Sequence, residues 1–231
     1  MRIYFHNISL MLGIIMVSTV LFITGCGGSA SGTGAVNYSE IQAYLIPVQV
    51  YESGAETLDG IYAFAGGPAV TGGWIEDNPG SMIQGSGLEE QIMLGGYERI
   101  IFSDQYSLSS KKYYLKYVTG GETRELENNI NWAVIPKFPN RPILQWNAES
   151  RVLSITSEPV NMASTYQFEI RSESGRVLQQ ISVSNPNTYL TVQIPGTYHI
   201  VFSAIKKENE IPVSKSIYIF TKNLGESDFT D

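Results

Sequence analysis

The chain has 231 residues, with 15 Lys or Arg against 22 Asp or Glu, and a formal net charge of −7 at pH 7. An acidic surface repels phosphate backbones, so the composition argues against a nucleic-acid partner. The single cysteine excludes an intramolecular disulfide, and the 14 tyrosines with abundant Val and Ile favour strands over helices.

The first 25 residues have the composition of a secretory leader. Arg2 is the only Lys or Arg among them, and an apolar segment of about 16 residues runs from Ile8 to Ile23. This length fits the apolar region of a signal peptide and is short for a membrane span. An uncleaved signal anchor and a cleaved signal peptide both remain open, but the small residue Gly25 before Cys26 favours cleavage.

The motif Ile23-Thr24-Gly25-Cys26 resembles a bacterial lipobox. The resemblance implies that the thiol of Cys26 is lipidated and that Cys26 becomes the mature N-terminus. Acyl chains would then hold the protein at a membrane, each buried methylene contributing about 0.8 kcal/mol. Gly27, where an aspartate would favour the inner membrane, implies the outer membrane or the cell surface if the cell is Gram-negative.

Residues 26–38 are predicted to be the lipidated cysteine and a glycine- and serine-rich tether. Such a segment behaves as a flexible coil, and a dozen residues would span about 20 Å on average. Together with the leader, this organisation predicts an extracytoplasmic protein of the cell envelope.

Residues 39–138 are predicted to form an irregular β domain. Its glycines, dense between residues 66 and 96, argue against helix and for short strands joined by turns. Residues 111–119 alternate in the manner of a strand, and Gly120-Gly121 indicates a tight turn. Residues 112–127 are therefore predicted to be a hairpin.

Pro136, Pro139 and Pro142 predict a domain boundary, because three prolines in seven residues oppose both helix and central strand. Beyond them, seven short alternating segments with turn residues between them predict a two-sheet sandwich. Gln179 shares the apolar face of one segment, which predicts its partial burial. An acidic tail is assigned to residues 224–231.

Residues 139–223 resemble a fibronectin type III domain. The resemblance rests on Trp146 in an early strand, on Tyr166 opening a middle strand, and on the stretch Leu190-x-x-x-x-Pro195-Gly196-Thr197-Tyr198-x-Ile200-x-Phe202-x-Ala204. It implies that the Tyr198 hydroxyl hydrogen-bonds backward onto the corner backbone. The predicted fold class is thus all-β, with two sandwich-like domains of which the second is fibronectin type III- or immunoglobulin-like.

No constellation of catalytic residues is recognisable in the sequence. His199, the only histidine after the leader, is interpreted as an outward or edge residue of a strand, and Ser86 as part of a flexible loop whose neighbours Gln84 and Leu88 do not fit a nucleophile elbow. Too few histidines and cysteines are present for a zinc site, and Glu76-Asp77-Asn78 lacks calcium-loop spacing. No enzyme activity, cofactor or metal is predicted.

Aromatic residues supply the candidate binding surface. Trp74 lies among glycine-rich turns, and Tyr113, Tyr114 and Tyr117 lie in the predicted hairpin. Aromatic rings outside a core stack on sugars or dock protein partners, and the alternative is that they fill the first domain.

The sequence thus predicts a lipid-anchored, non-enzymatic binding or scaffolding module for a protein or glycan partner. A polysaccharide-processing enzyme with a fibronectin-like spacer, and a structural subunit of an envelope assembly, are the alternatives. Two facing carboxylates in a cleft would support the first alternative. An exposed apolar patch on a sheet edge would support the second.

Overall fold

The computed structural model describes residues 41–52 and 57–229. Apart from short 3₁₀ turns, the regular structure of these residues is all strand, which confirms the all-β prediction. Within the same residues no helix is long and apolar enough to cross a membrane. The strands are β1 Gln42–Glu52, β2 Leu58–Gly66, β3 Val70–Asn78, β4 Ser81–Met82, β5 Glu89–Gln91, β6 Gly96–Phe102, β7 Lys112–Thr119, β8 Glu122–Asn129, β9 Ile143–Asn147, β10 Val152–Thr156, β11 Thr165–Ser172, β12 Val177–Val183, β13 Thr188–Thr191, β14 Gly196–Glu208 and β15 Ile211–Leu224.

The second half of the chain forms the predicted two-sheet sandwich, from β9 to β15. Three strands, in the order β13-β10-β9, pack against β12-β11-β14-β15. Leu153, Phe168 and Phe202 fill the space between the sheets and are fully buried. The Tyr198 hydroxyl donates to the carbonyl of Ile194, as the fibronectin resemblance implies.

A second core lies in the first half of the chain. The four-stranded sheet β4-β3-β7-β8 packs over β1, β2 and β6 through Ile75, Leu115 and Ile61, all fully buried. The predicted hairpin is confirmed, because β7 and β8 pair antiparallel with Gly120 and Gly121 between them at positive φ. Asn131–Val134 adds no strand: Trp132–Val134 is a 3₁₀ turn capped by the Asn131 side chain.

Strand β1 connects the two halves. It pairs antiparallel with β2 and parallel with β15, in a register that runs from Val48 opposite Lys215 to Glu52 opposite Ile219. The parallel ladder begins directly after Pro47, which has no N–H to donate. One eight-stranded sheet, in the order β12-β11-β14-β15-β1-β2-β6-β5, therefore crosses the predicted boundary at residues 136–142.

The predicted domains, 39–138 and 139–223, are thus continuous at this sheet, and residues Tyr38–Asp231 form one compact unit. The prolines at the boundary are where the chain leaves the first core for the second. Carbonyls of this segment are held by the last strand, since Ser214 Oγ donates to Val134 O and Ser216 Oγ to Pro136 O.

The eight-stranded sheet curls so far that its ends meet. Four strands separate β11 from β6, which in a flat sheet would place them about 24 Å apart. Yet Arg171 Nη1 on β11 lies 2.6 Å from Glu98 Oε1 on β6. The edge strands also meet, because the Val177 amide donates to Gln91 Oε1 at 3.1 Å.

The enclosed face of the curled sheet holds a buried ionic cluster, which we define as Glu98, Glu169, Arg171 and Lys215. Arg171 Nε donates to Glu169 Oε2 at 2.7 Å, and Lys215 Nζ lies 3.5 Å from the centre of the Tyr62 ring. The Tyr62 hydroxyl donates to Glu98 Oε2 at 2.7 Å. Two carboxylates thus balance two cations in an interior that also holds apolar side chains such as Val48, Val201 and Ile217.

The structure corrects the interpretation of two polar residues. His199 is 7% exposed, because β14 is a central strand and its side chain lies on the enclosed face. Ser86 is fully buried, and its hydroxyl both donates to Ile75 O and accepts from Ile75 N, so it fastens its loop to β3. Gln179 is half-buried as predicted and donates to Thr191 O at 2.8 Å.

The described part of the predicted acidic tail packs against the sandwich. Glu226–Asp228 forms a 3₁₀ turn, and the Phe229 ring centre lies 5.5 Å from that of Trp146. Arg151 Nη2 donates to Phe229 O at 3.1 Å. These contacts cover the free edge of β9 with residues beyond the predicted sandwich.

Candidate binding face

The four-stranded sheet has one face on the core and one turned away from it. Strand pairing places Trp74, Lys116 and Glu125 in one row across the outward face, and Glu76, Tyr114 and Glu127 in the next. We call these six residues the Trp74 face. Residues of the intervening rows, such as Ile75 and Leu115, point into the core instead.

Trp74 is half-buried and held in place by its neighbour on the same strand. Its indole Nε1 donates to Glu76 Oε1 at 2.9 Å. Side chains two residues apart on a strand share a face, which is why Trp74 and Glu76 can meet. The hydrogen bond restricts the indole rotamer, so a ligand that contacts the ring loses less side-chain freedom on binding.

Glu76 is the centre of this arrangement and is only 5% exposed. Its Oε2 accepts from the Gly80 amide at 2.8 Å and lies 3.9 Å from Lys116 Nζ. Burial opposes ionisation, but the hydrogen bonds from Trp74 and Gly80 and the charge of Lys116 lower the pKa of Glu76 below its usual value. Glu76 is therefore a carboxylate at neutral pH, and Lys116 also pairs with Glu125.

Gly72 leaves one side of Trp74 open. Its φ of +145° follows a bulge in the pairing of β3 with β7, a conformation that L-residues rarely adopt. A Cβ at this position would meet no atom within 4 Å. The surface beside Trp74 in this row therefore carries Val118 and Thr123 without a third side chain.

The structure places the four predicted binding residues in different environments. Trp74 and Tyr114 lie on the outward face, as a binding surface requires. Tyr113 is wrong as a surface residue: it is 1% exposed and belongs to the core, because alternation along β7 turns it inward beside Leu115. Its hydroxyl accepts from the Ser109 amide, which satisfies its polar atom inside the fold.

Tyr117 lies on the core side of β7, half-buried, and does not join the Trp74 face. It lines a surface groove of about 510 Å³ beside the start of β1, together with Ile41, Ala43, Arg124, Glu125 and Leu126. The size is within the range of small-molecule sites. Its position separates it from Trp74, which stands on the opposite side of the same sheet.

Sequence reasoning missed Glu76 and Lys116 as members of the site. The sequence pattern indicates Glu76 only as a possible calcium ligand, and among the described residues no group of three His, Cys, Asp or Glu side chains could hold a metal ion. The i, i+2 spacing of Trp74 and Glu76 was the available clue. Cys26, the predicted lipidation site, lies outside the described residues.

No protein-family model and no curated protein match this sequence. Among solved structures, the chain is similar to a cytokine receptor complex, with 11% identity over 70% of this chain and 90% of that one and a TM-score of 0.32. The CD2-binding domain of CD58 matches with 9% identity over 76% and 96% and a TM-score of 0.26. Fibronectin(III)-like modules of Clostridium thermocellum CbhA match with 14% identity over 78% and 92% and a TM-score of 0.24. At these TM-scores the matches carry no conclusion about this chain.

Proposed function

We propose that this protein is a lipid-anchored, non-enzymatic binding module of the cell envelope, and that it binds its partner through the Trp74 face. The observation that supports this proposal most is the position of the Trp74 indole, which is fixed by its hydrogen bond to Glu76. A large aromatic ring stands on the face turned away from the core, and a buried carboxylate fixes it. Trp is the residue type most enriched among side chains that dominate binding energy.

The anchoring part of the proposal rests on the lipobox resemblance at Cys26. Acylation there would hold the β domain near the membrane, and the predicted tether would let the domain reorient to meet a partner. Binding to a partner that is itself part of the envelope would then be favoured by a high effective concentration.

The enzyme alternative required two facing carboxylates in a cleft. Glu98 and Glu169 do face one another across Arg171, but they are 6% and 2% exposed and are enclosed by the curled sheet. Neither carboxylate therefore lines an open cleft of the kind that the enzyme alternative calls for. The ionic cluster is better explained as the connection that holds the two ends of the sheet together.

Sedimentation with envelopes tests the proposal. The chain from residue 27 onward, which lacks the leader and Cys26 and so cannot enter a membrane through acyl chains, is mixed with the envelope fraction of cells that lack the protein, and the bound fraction is measured. We expect Trp74→Ala to weaken binding about tenfold or more, as for truncation of a central Trp. Tyr189→Ala is the matched control, because Tyr189 is 64% exposed on a different sheet.

Trp74→Phe keeps a ring at the site but removes the Nε1–H donor, and we expect an intermediate loss. Circular dichroism and thermal unfolding establish that each variant is folded. Unchanged binding by a folded Trp74→Ala variant would contradict the proposed function.

A further inference from the structure

We infer that the Trp74 face binds an uncharged polysaccharide of the protein's own envelope. The inference rests on the proposed function, and it selects among the partners that such a face could take. Three properties of the face lead to it, namely the spacing of its apolar and polar groups, its charge, and its open flank at Gly72. The acidity of the whole chain supports the same ligand.

The apolar part of the face is narrow. It consists mainly of the Trp74 ring, with Tyr114 in the next row, and charged side chains occupy the remaining positions of these two rows. A sugar ring has the matching construction: one apolar C–H face and a rim of hydroxyls that donate and accept hydrogen bonds. The C–H face would lie on the indole, while the hydroxyls would reach Lys116, Glu125 and the Tyr114 hydroxyl.

A protein partner fits the same surface less well. A stable protein interface buries about 800 Å² on each side, and its centre is depleted of charged residues. Here the centre holds Glu76 and Lys116, directly beside the indole. An apolar protein surface over these two side chains would remove their water and offer no new hydrogen bonds. Because Glu76 and Lys116 already form an ion pair, the desolvation would cost free energy.

The charge of the face selects against polyanions. Together with Lys112, which pairs with Glu127, the face carries three carboxylates and two ammonium groups. Both ammonium groups are paired with carboxylates of β8. The chain as a whole has a net charge of −7, so an anionic polysaccharide would be repelled at long range as well.

The open flank at Gly72 gives a polymer room to pass. A glycan chain is longer than one ring, so units beyond the stacked one need a surface without obstruction. Gly72 carries no side chain, and the backbone conformation there disfavours any other residue. The short predicted tether, about 20 Å on average, keeps the face within its own envelope rather than reaching distant surfaces.

The test removes either the sugars or the proteins of the envelope before binding is measured. Envelopes are treated with periodate, which cleaves vicinal diols of sugars, or with proteinase K, which removes proteins. We expect periodate to abolish the binding of the wild-type protein and of the Tyr189→Ala control. Proteinase K should leave this binding intact, and Trp74→Ala should bind neither untreated nor protease-treated envelopes above background.

Salt separates uncharged from anionic glycans. Stacking on an uncharged sugar should change less than twofold between about 0.05 and about 0.5 M NaCl, because little of it depends on exposed charges. Binding that depends steeply on salt over this range would overturn the assignment of an uncharged ligand.

The failures of the two proposals are distinguishable. Trp74-dependent binding that survives periodate but not proteinase K would overturn the glycan inference and leave the binding function standing, with a protein as partner. Envelope binding that does not depend on Trp74 in any folded variant would overturn the proposed function itself.

Discussion

At the scale of single residues, Lys215 is the most unusual side chain in the molecule. The residue is 4% exposed, and its ammonium group lies over the ring of Tyr62 within the buried ionic cluster. Burial lowers the pKa of Lys215 to about 8, although Glu169 and Glu98 act in the opposite direction. Arg171, with the two carboxylates close by, has a raised pKa and stays charged.

This shift predicts an unusual pH dependence of stability. An unfolded lysine has a pKa of about 10.4, so between about pH 8 and 10.4 the unfolded chain holds a proton that the folded chain has released. The free energy of unfolding should therefore rise with pH, by about 2 kcal/mol between pH 7 and 9.5. At higher pH the raised pKa values of Tyr44 and Tyr62 work in the opposite direction.

Urea unfolding at several pH values measures this effect. Lys215→Met should remove the rise, since Met fills a similar volume without titrating in this range. Lys137→Met, at an exposed position, should retain it. A wild-type free energy of unfolding that rises no more than that of Lys215→Met between pH 7 and 9.5 would show that Lys215 remains charged in the folded state.

At the scale of elements, the hairpin that joins β14 and β15 contains the clearest local strain. Asn209 and Glu210 form its two-residue loop with φ of 51° and 65°, where Gly is preferred at the second position. The Lys207–Glu210 ion pair, at 3.7 Å with Glu210 94% exposed, offsets little of this cost.

Glu210→Gly should therefore stabilise the protein by about 1 kcal/mol, because a glycine adopts this conformation without a Cβ clash. For a chain of this size the gain corresponds to a rise in Tm of about 2–4 °C, measurable by calorimetry. Glu208→Gly, one residue before the loop and within β14, should lower Tm instead. Equal shifts for both variants would mean that the loop conformation is unstrained.

The sequence predicts well those elements that are specified by local signals, namely turn residues and the alternation of side chains along a strand. Gly120-Gly121 and the alternation around it place β7 and β8 correctly, and seven strands follow the prolines as expected. Alternation states which residues share a face of a strand, but not which strand lies next to it. The parallel pairing of β1 with β15, which are more than 150 residues apart, was therefore beyond the reach of the pattern.

The candidate site was predicted only in part, because alternation shows which residues share a face of a strand but not which face is turned toward the core. Trp74 and Tyr114 are on the outward face, whereas Tyr113 is in the core, since opposite faces of β7 both carry tyrosines. Glu169 alternates with the apolar residues Phe168 and Ile170, and Lys215 lies between two serines, patterns that usually place the charged side chain on a solvent-exposed face. Only the curl of the eight-stranded sheet encloses that face, and curl is a property of the assembled sheet.

At the scale of the whole molecule, the shared sheet joins the two halves of the described residues into one β module, and the proposed anchor would attach that module to a membrane. The proposal that the protein works at a membrane depends on a single thiol, that of Cys26. Lipidation adds two or more acyl chains, and two chains suffice for stable attachment where one is marginal.

Replacement of Cys26 tests the attachment directly. Cys26→Ser cannot be acylated, so the purified variant should partition into the aqueous phase of a detergent phase separation, whereas the acylated protein should enter the detergent phase. The β domain should be unaffected, and its thermal unfolding should match that of the wild-type protein. Partition of the purified, folded Cys26→Ser variant into the detergent phase would contradict an acyl anchor.

The intact mass of the protein isolated from its own cells is the most direct measurement. We predict a polypeptide in the membrane fraction that begins at Cys26 and carries the added mass of acyl chains on that residue. An unmodified polypeptide that begins at Met1 and is recovered in the soluble cytosolic extract would contradict it.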